Sequence, residues 1–177
     1  MLKKVRIALE VERYGVAADL FDEFFEALET GELPARLTEP VYDEGEEAEG
    51  PQQMEVFCDG RLRVTDDEFS LTYEETELTG MEGTESQLSF RFSQRGLLTM
   101  LRTGTVKTAL VFEKGKRHIC VYQTPYMPFE VCVHTLAVDN RLAVEEGTFG
   151  GELLLDYVVE IRGARAERCR MKVAVKE

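Results

Sequence analysis

The run HICVYQTPYMPFEVCVH, residues 118–134, carries both histidines and two of the four cysteines of the chain. His118-x-Cys120 opens it and Cys132-x-His134 closes it, around a Thr-Pro-Tyr-Met-Pro turn. Residues i and i+2 on a strand share a face, and direct cross-strand partners lie ~5 Å apart. Folded about Tyr126, the hairpin would set His118 opposite His134 and Cys120 opposite Cys132, with Tyr122 and Glu130 on the same face. Ile119, Val121, Phe129, Val131 and Val133 would share the other. Two His and two Cys form an accepted zinc set. A flat strand pair, however, spreads four ligands over a rectangle, and no Cys-x2-Cys knuckle is present. The reading adopted is no metal and no cofactor, with His118, Cys120, Cys132 and His134 as the alternative ligand set. A Cys120–Cys132 disulfide has suitable spacing but belongs to an oxidising compartment.

A second constellation lies elsewhere. Tyr73 and Glu75 continue the alternating face of Phe69 and Leu71, and Arg102 continues that of Leu98 and Met100. If both faces point inward, a phenol, a carboxylate and a guanidinium meet inside the protein. Buried charges must be paired. One reading is a structural Glu75–Arg102 bridge. The other is a polar anchor for a small ligand, with Arg102 on its carboxylate or phosphate and Tyr73 and Tyr122 donating hydrogen bonds. No G-x-S-x-G, Walker loop or G-x-G-x-x-G appears, and the Gly-rich stretch at 79–86 opens no helix. An enzyme reading lacks a recognisable catalytic motif.

The elements that must hold these residues read as strands. Val5, Ile7, Leu9 and Val11 alternate with charged neighbours, as do Met54, Val56, Cys58, Leu62 and Val64, with Asp59-Gly60 read as a bulge or turn. Phe69–Tyr73 and Leu88–Phe92 follow, and further strands read at about 97–103, 105–114, 117–124, 129–142, 151–162 and 165–176. Short turns between successive strands predict an antiparallel meander, and closure into a barrel removes its exposed edges. The expectation is an all-β barrel of eight to ten strands in a single domain, residues 1–177. The exception is 16–31, where Leu20, Phe21, Phe24, Phe25 and Leu28 form one helical stripe. An α-helix inserted after the first strand, followed by an acidic flexible loop to residue 50, is therefore expected.

Charge narrows the partners. Of the net −13, the segment 16–50 carries −11, from twelve acids against Arg36 alone. Phosphate backbones repel such a surface, so neither nucleic acid nor an anionic membrane is expected as a partner, whereas the charge is compatible with a basic protein partner. No apolar stretch nears the length of a membrane span, and no signal peptide or Cys-x2-Cys is read, which points to the cytoplasm.

YEETELTGMEGTES (73–86), RTG (102–104) and VFEKGKRHICVYQTPY (111–126), in this order, resemble the YwiB-like family of bacterial proteins. Tyr73, Glu75, Gly83, Thr84, Arg102, Gly104, Phe112, Gly115, Tyr122, Thr124, Pro125 and Tyr126 match its signature positions. Met127 departs from the glycine common at that point of the turn. The resemblance implies a calycin-like (lipocalin-like) antiparallel barrel and covers residues 54–177 with the first strand. Calycin-like barrels suggest small-ligand binding by analogy of fold. The candidate ligand-binding residues are Tyr73, Glu75, Arg102, Tyr122 and Tyr126, for a partly apolar, acidic ligand held by a non-catalytic module. The alternative is an interaction scaffold that uses the acidic 16–50 segment.

Overall fold

The computed structural model describes residues 2–15, 52–94, 96–145, 148–161 and 165–177. The helix and acidic loop expected at 16–50 lie outside the described residues. Alternating apolar side chains give β1 (Leu2–Gly15), β2 (Gln52–Val64), β3 (Glu68–Glu74), β4 (Thr84–Arg91), β5 (Leu97–Gly104) and β6 (Thr108–Glu113). Five more strands follow: β7 (Arg117–Gln123), β8 (Pro128–Asn140), β9 (Ala143–Glu145), β10 (Thr148–Ile161) and β11 (Arg165–Lys176). Among the described residues the remaining regular element is a 3₁₀ turn at Glu77–Thr79, ended by Gly80 in the left-handed conformation.

The strands pair in the order β6-β5-β4-β3-β2-β1-β11-β10-β8-β7, and β9 adds to β10. Ten strands thus build the wall as an antiparallel meander, with β1 between β2 and β11. Closure comes from the Lys107–Gln123 bridge, where each backbone N–H donates to the other's carbonyl at 2.9 Å. Along the rest of β6 and β7 no ladder forms, although the two are joined by a short turn. The architecture is a nearly closed barrel.

Its axis is filled. Val5, Ile7 and Leu9 of β1 face Phe69, Leu71, Leu88, Leu98, Met100, Leu110, Phe112, Phe149 and Leu153, all buried. Phe69 packs on Phe90 and Phe149, with ring centroids at 5.5 and 5.7 Å. Non-directional burial of this kind supplies the main force holding the wall together.

β2 runs straight through Asp59-Gly60, which corrects the expected bulge. Gly60 pairs with Val5 on one side and Tyr73 on the other in unbroken register. A Cβ there would lie 2.3 Å from Ile7 Cδ1 and 3.0 Å from the Thr72 carbonyl oxygen. Glycine marks a close approach, not a kink.

Candidate functional site

Four of the predicted residues meet inside the barrel. Inward alternation on β3 delivers Tyr73, and one step further Glu75; β5 delivers Arg102 and β7 Tyr122. Arg102 is 8% exposed and Glu75 7%. The Arg102 Nε lies 3.6 Å from Glu75 Oε1, too far for a hydrogen bond, and Ser86 of β4 connects them. Ser86 Oγ donates to Glu75 Oε1 at 2.5 Å and accepts from Arg102 Nε at 3.4 Å. On its other side Arg102 Nη1 donates to the Tyr122 hydroxyl at 2.8 Å. Burial works against the Arg102 charge, yet the oxygens of Tyr122 and Glu75 around it hold the guanidinium protonated above its ordinary range. Burial, then the neighbouring Glu75 charge, pushes the Tyr73 phenol well up. Burial raises Tyr122 against the pull of Arg102. Both phenols are therefore hydrogen-bond donors at neutral pH, not bases.

Tyr126 stands apart, 96% exposed at the tip of the β7–β8 turn. Thr124 builds that turn, its hydroxyl accepting from the N–H of Tyr126 and Met127 and donating to the Met127 carbonyl. Such a hydroxyl-anchored turn fixes the loop with no need for glycine at 127.

The turn also corrects the register of the opening hairpin. Gln123 pairs with Pro128 and Tyr122 with Phe129, so His118 meets Val133 and Cys120 meets Val131. A one-residue offset exchanges faces. His118, Cys120 and Tyr122 share the inner side with Phe129, Val131 and Val133, whereas Cys132 and His134 lie on the outer side with the exposed Ile119 and Val121. The four metal-ligand candidates are thus divided between two faces of the sheet. All four cysteines are free thiols. His118 Nε2 lies 3.4 Å from Glu113, and His134 Nε2 3.6 Å from Glu160. Arg117 Nη2 contacts the Cys132 sulfur at 3.1 Å and Glu160 at 3.5 Å.

Three inward residues escaped the sequence reading, although alternation points to each. Arg13 continues Val5, Ile7, Leu9 and Val11 on β1. It pairs with Cys169 of β11, which in turn pairs with Tyr157 of β10, so the three form one inward row. Tyr157 packs edge-on against Phe112 at 4.8 Å. Burial, relieved in part by Arg13, pushes the Cys169 thiol up to about 11. Burial raises the Tyr122 and Tyr157 phenols, and the charges of Arg102 and Arg13 oppose that rise. A surface depression of about 850 Å3, rimmed by Lys4, Arg61 and Glu85, reaches Tyr73 and Glu75 from outside.

Comparison with known proteins agrees with this fold. The family model described as a domain of unknown function, DUF1934, matches residues 38–173. The crystal structure of the ywiB protein from Bacillus subtilis superposes with a TM-score of 0.64 at 17% identity, over 99% of this chain and 94% of that one. No curated protein matches the sequence. With the family model spanning most of the chain and the barrel shared, the protein belongs to the DUF1934, YwiB-like family.

Proposed function

We propose that this protein is a non-catalytic binding module, calycin-like in architecture, that holds a small acidic ligand at the polar end of its barrel. Arg102 carries the reading. Its Nε is engaged by Ser86 and lies near Glu75, and its Nη1 by Tyr122, while Nη2 donates to none of the described residues. Tyr122 accepts from Arg102 and its own O–H donates to no described group. The Arg102 Nη2 and the Tyr122 O–H together offer charge-assisted and neutral donors to an oxyanion. The ring of Tyr122 stacks on Phe129, centroids 5.6 Å apart at 14°, and supplies an apolar wall beside the head group. The filled barrel axis restricts the ligand to this end and keeps it small.

Native mass spectrometry of the freshly purified protein, beside the same sample denatured, tests the reading. A mass above that of the chain, lost on denaturation, is expected, and its value gives the ligand class. With that ligand in hand, Arg102→Ala in a folded background should weaken binding at least tenfold. Equal affinity would refute the anchor role, and a bare-chain mass would favour a scaffold that docks a basic protein through the acidic 16–50 segment.

A further inference from the structure

We infer that the barrel wall opens along the seam between β6 and β7, hinged on the turn at 114–116, and that the Arg102–Tyr122 hydrogen bond is the latch that holds it shut. Each other neighbouring pair of wall strands is joined by a run of paired residues. β1 and β11, for example, pair from Arg6 to Gly15. β6 pairs along its length with β5, and β7 with β8. Toward each other, the two strands make the Lys107–Gln123 bridge and no further pairing among the described residues. A wall gives way where the fewest hydrogen bonds must break together.

The two ends of the seam are built differently. At the turn, the chain is tied to β8: Gly115 N–H donates to the Thr135 carbonyl at 2.8 Å, and Thr135 N–H donates to the Lys116 carbonyl at 3.2 Å. That end stays in place when the strands part, and Gly115, at φ +75°, holds the tight bend. At the far end Arg102 of β5 reaches past β6, its Nη1 donating to the Tyr122 hydroxyl of β7 at 2.8 Å. Tyr122 is the neighbour of the bridging Gln123, and its ring is stacked on Phe129 of β8. One charge-assisted bond thus ties together the strands on either side of β6, beside the bridge. Thr108 favours opening. It is the direct cross-strand partner of Arg102 on β6, and its hydroxyl is sealed from solvent with no partner among the described residues. A buried hydroxyl without a partner destabilises the closed seam, and water reaching it through the parted strands removes that cost. Opening is therefore local. It exposes Thr108, Cys120 and the Arg102–Tyr122 pair from the side, with the filled axis and the β1–β11 ladder intact.

Cys120 is a built-in reporter of this motion. It lies on the inner side of β7 and is 6% exposed, whereas Cys169, 5% exposed, sits in the laddered wall between β1 and β10. Alkylation of both thiols by iodoacetamide, located by peptide mass spectrometry, is followed beside amide hydrogen exchange in the full chain. The comparison takes the wild type, Tyr122→Phe, which removes the latch, and Lys107→Cys with Gln123→Cys, whose disulfide locks the bridge. Directly opposed antiparallel residues stand within reach of such a bond. In the wild type the Lys107 and Gln123 amides should exchange roughly a hundredfold faster than those of Leu9 and Val173. Tyr122→Phe should speed both seam amides and Cys120 alkylation at least tenfold, with Val173 and Cys169 at wild-type rates. The disulfide should slow Cys120 alkylation at least tenfold. A common exchange rate for seam and wall in the wild type, or Cys120 alkylation indifferent to the lock, would overturn the opening seam. Tyr122→Phe without effect, or accelerating seam and wall alike, would overturn the latch, and the locked variant then decides the seam by itself.

Discussion

Replacing Arg102 by methionine removes the charge that faces Glu75 and keeps most of the side-chain volume. The two groups are 3.6 Å apart with side chains 10% and 2% exposed. At an effective dielectric constant of about 20, that separation corresponds to roughly 4–5 kcal/mol of attraction. Losing one partner of a buried pair costs ~3–5 kcal/mol, because the other charge is left uncompensated. Glu75 keeps the Ser86 hydroxyl, which offsets part of that cost. The expected loss is therefore about 3–4 kcal/mol at pH 7, or roughly 10 °C in Tm for a chain of this size. Glu75→Gln combined with Arg102→Met should lose less than the sum of the two single variants. The chain has no tryptophan, so urea and thermal unfolding are followed by far-ultraviolet circular dichroism. A loss below about 1 kcal/mol, or strict additivity in the double variant, would show that the pair is not coupled and refute the argument.

Other perturbations separate the parts of the fold. Gly104 has φ +117°, and a Cβ there would lie 2.2 Å from the Gly83 carbonyl oxygen; Gly104→Ala should cost more than ~2 kcal/mol in urea unfolding. Gly60→Ala presses on Ile7 Cδ1 and should cost ~1–3 kcal/mol, with Ile7→Val restoring part of it by removing that atom, a rescue seen in Tm if the close approach is the cause. Burial and Arg117 lower the His134 pKa against the opposing effect of Glu160. The unfolded chain then binds the extra proton first, so stability falls as pH drops from about 6.5 through the lowered folded value. His134→Gln should flatten that part of the stability–pH curve, and an unchanged slope would assign it to another group.

Strand positions and the inward rows were legible because period-two alternation is long and regular in this chain. Tyr73, Glu75, Arg102 and Tyr122 could be placed together from parity and from the signature positions they share with the family. The hairpin at 118–134 misled because its chemical symmetry centres on Tyr126, whereas its pairing centres between Pro125 and Tyr126. Nothing in residue type distinguishes a three-residue from a four-residue loop there; the Thr124 hydroxyl does so through bonds that need the folded turn. Arg13 was readable from the alternation of β1, but not its row with Cys169 and Tyr157, which depends on β1 pairing with β11. Gly60 read as a break for a similar reason, since its role lies in the Ile7 side chain on the neighbouring strand.

The pairing of β1 with β11, Ile7 against Val175 and Leu9 against Val173, has a consequence for synthesis. Among the described strands, β1 is made well before β11, the partner that completes its hydrogen bonds on one side. At roughly 5–20 residues per second, β1 waits on the order of ten seconds or more with one edge open. During that interval β2 can cover one side, but the other presents an unpaired backbone edge. Such edges recruit foreign strands. The nascent chain of this barrel is thus most vulnerable to misassembly before β11 is made, and a variant truncated before β11 should aggregate instead of accumulating as a stable partial barrel.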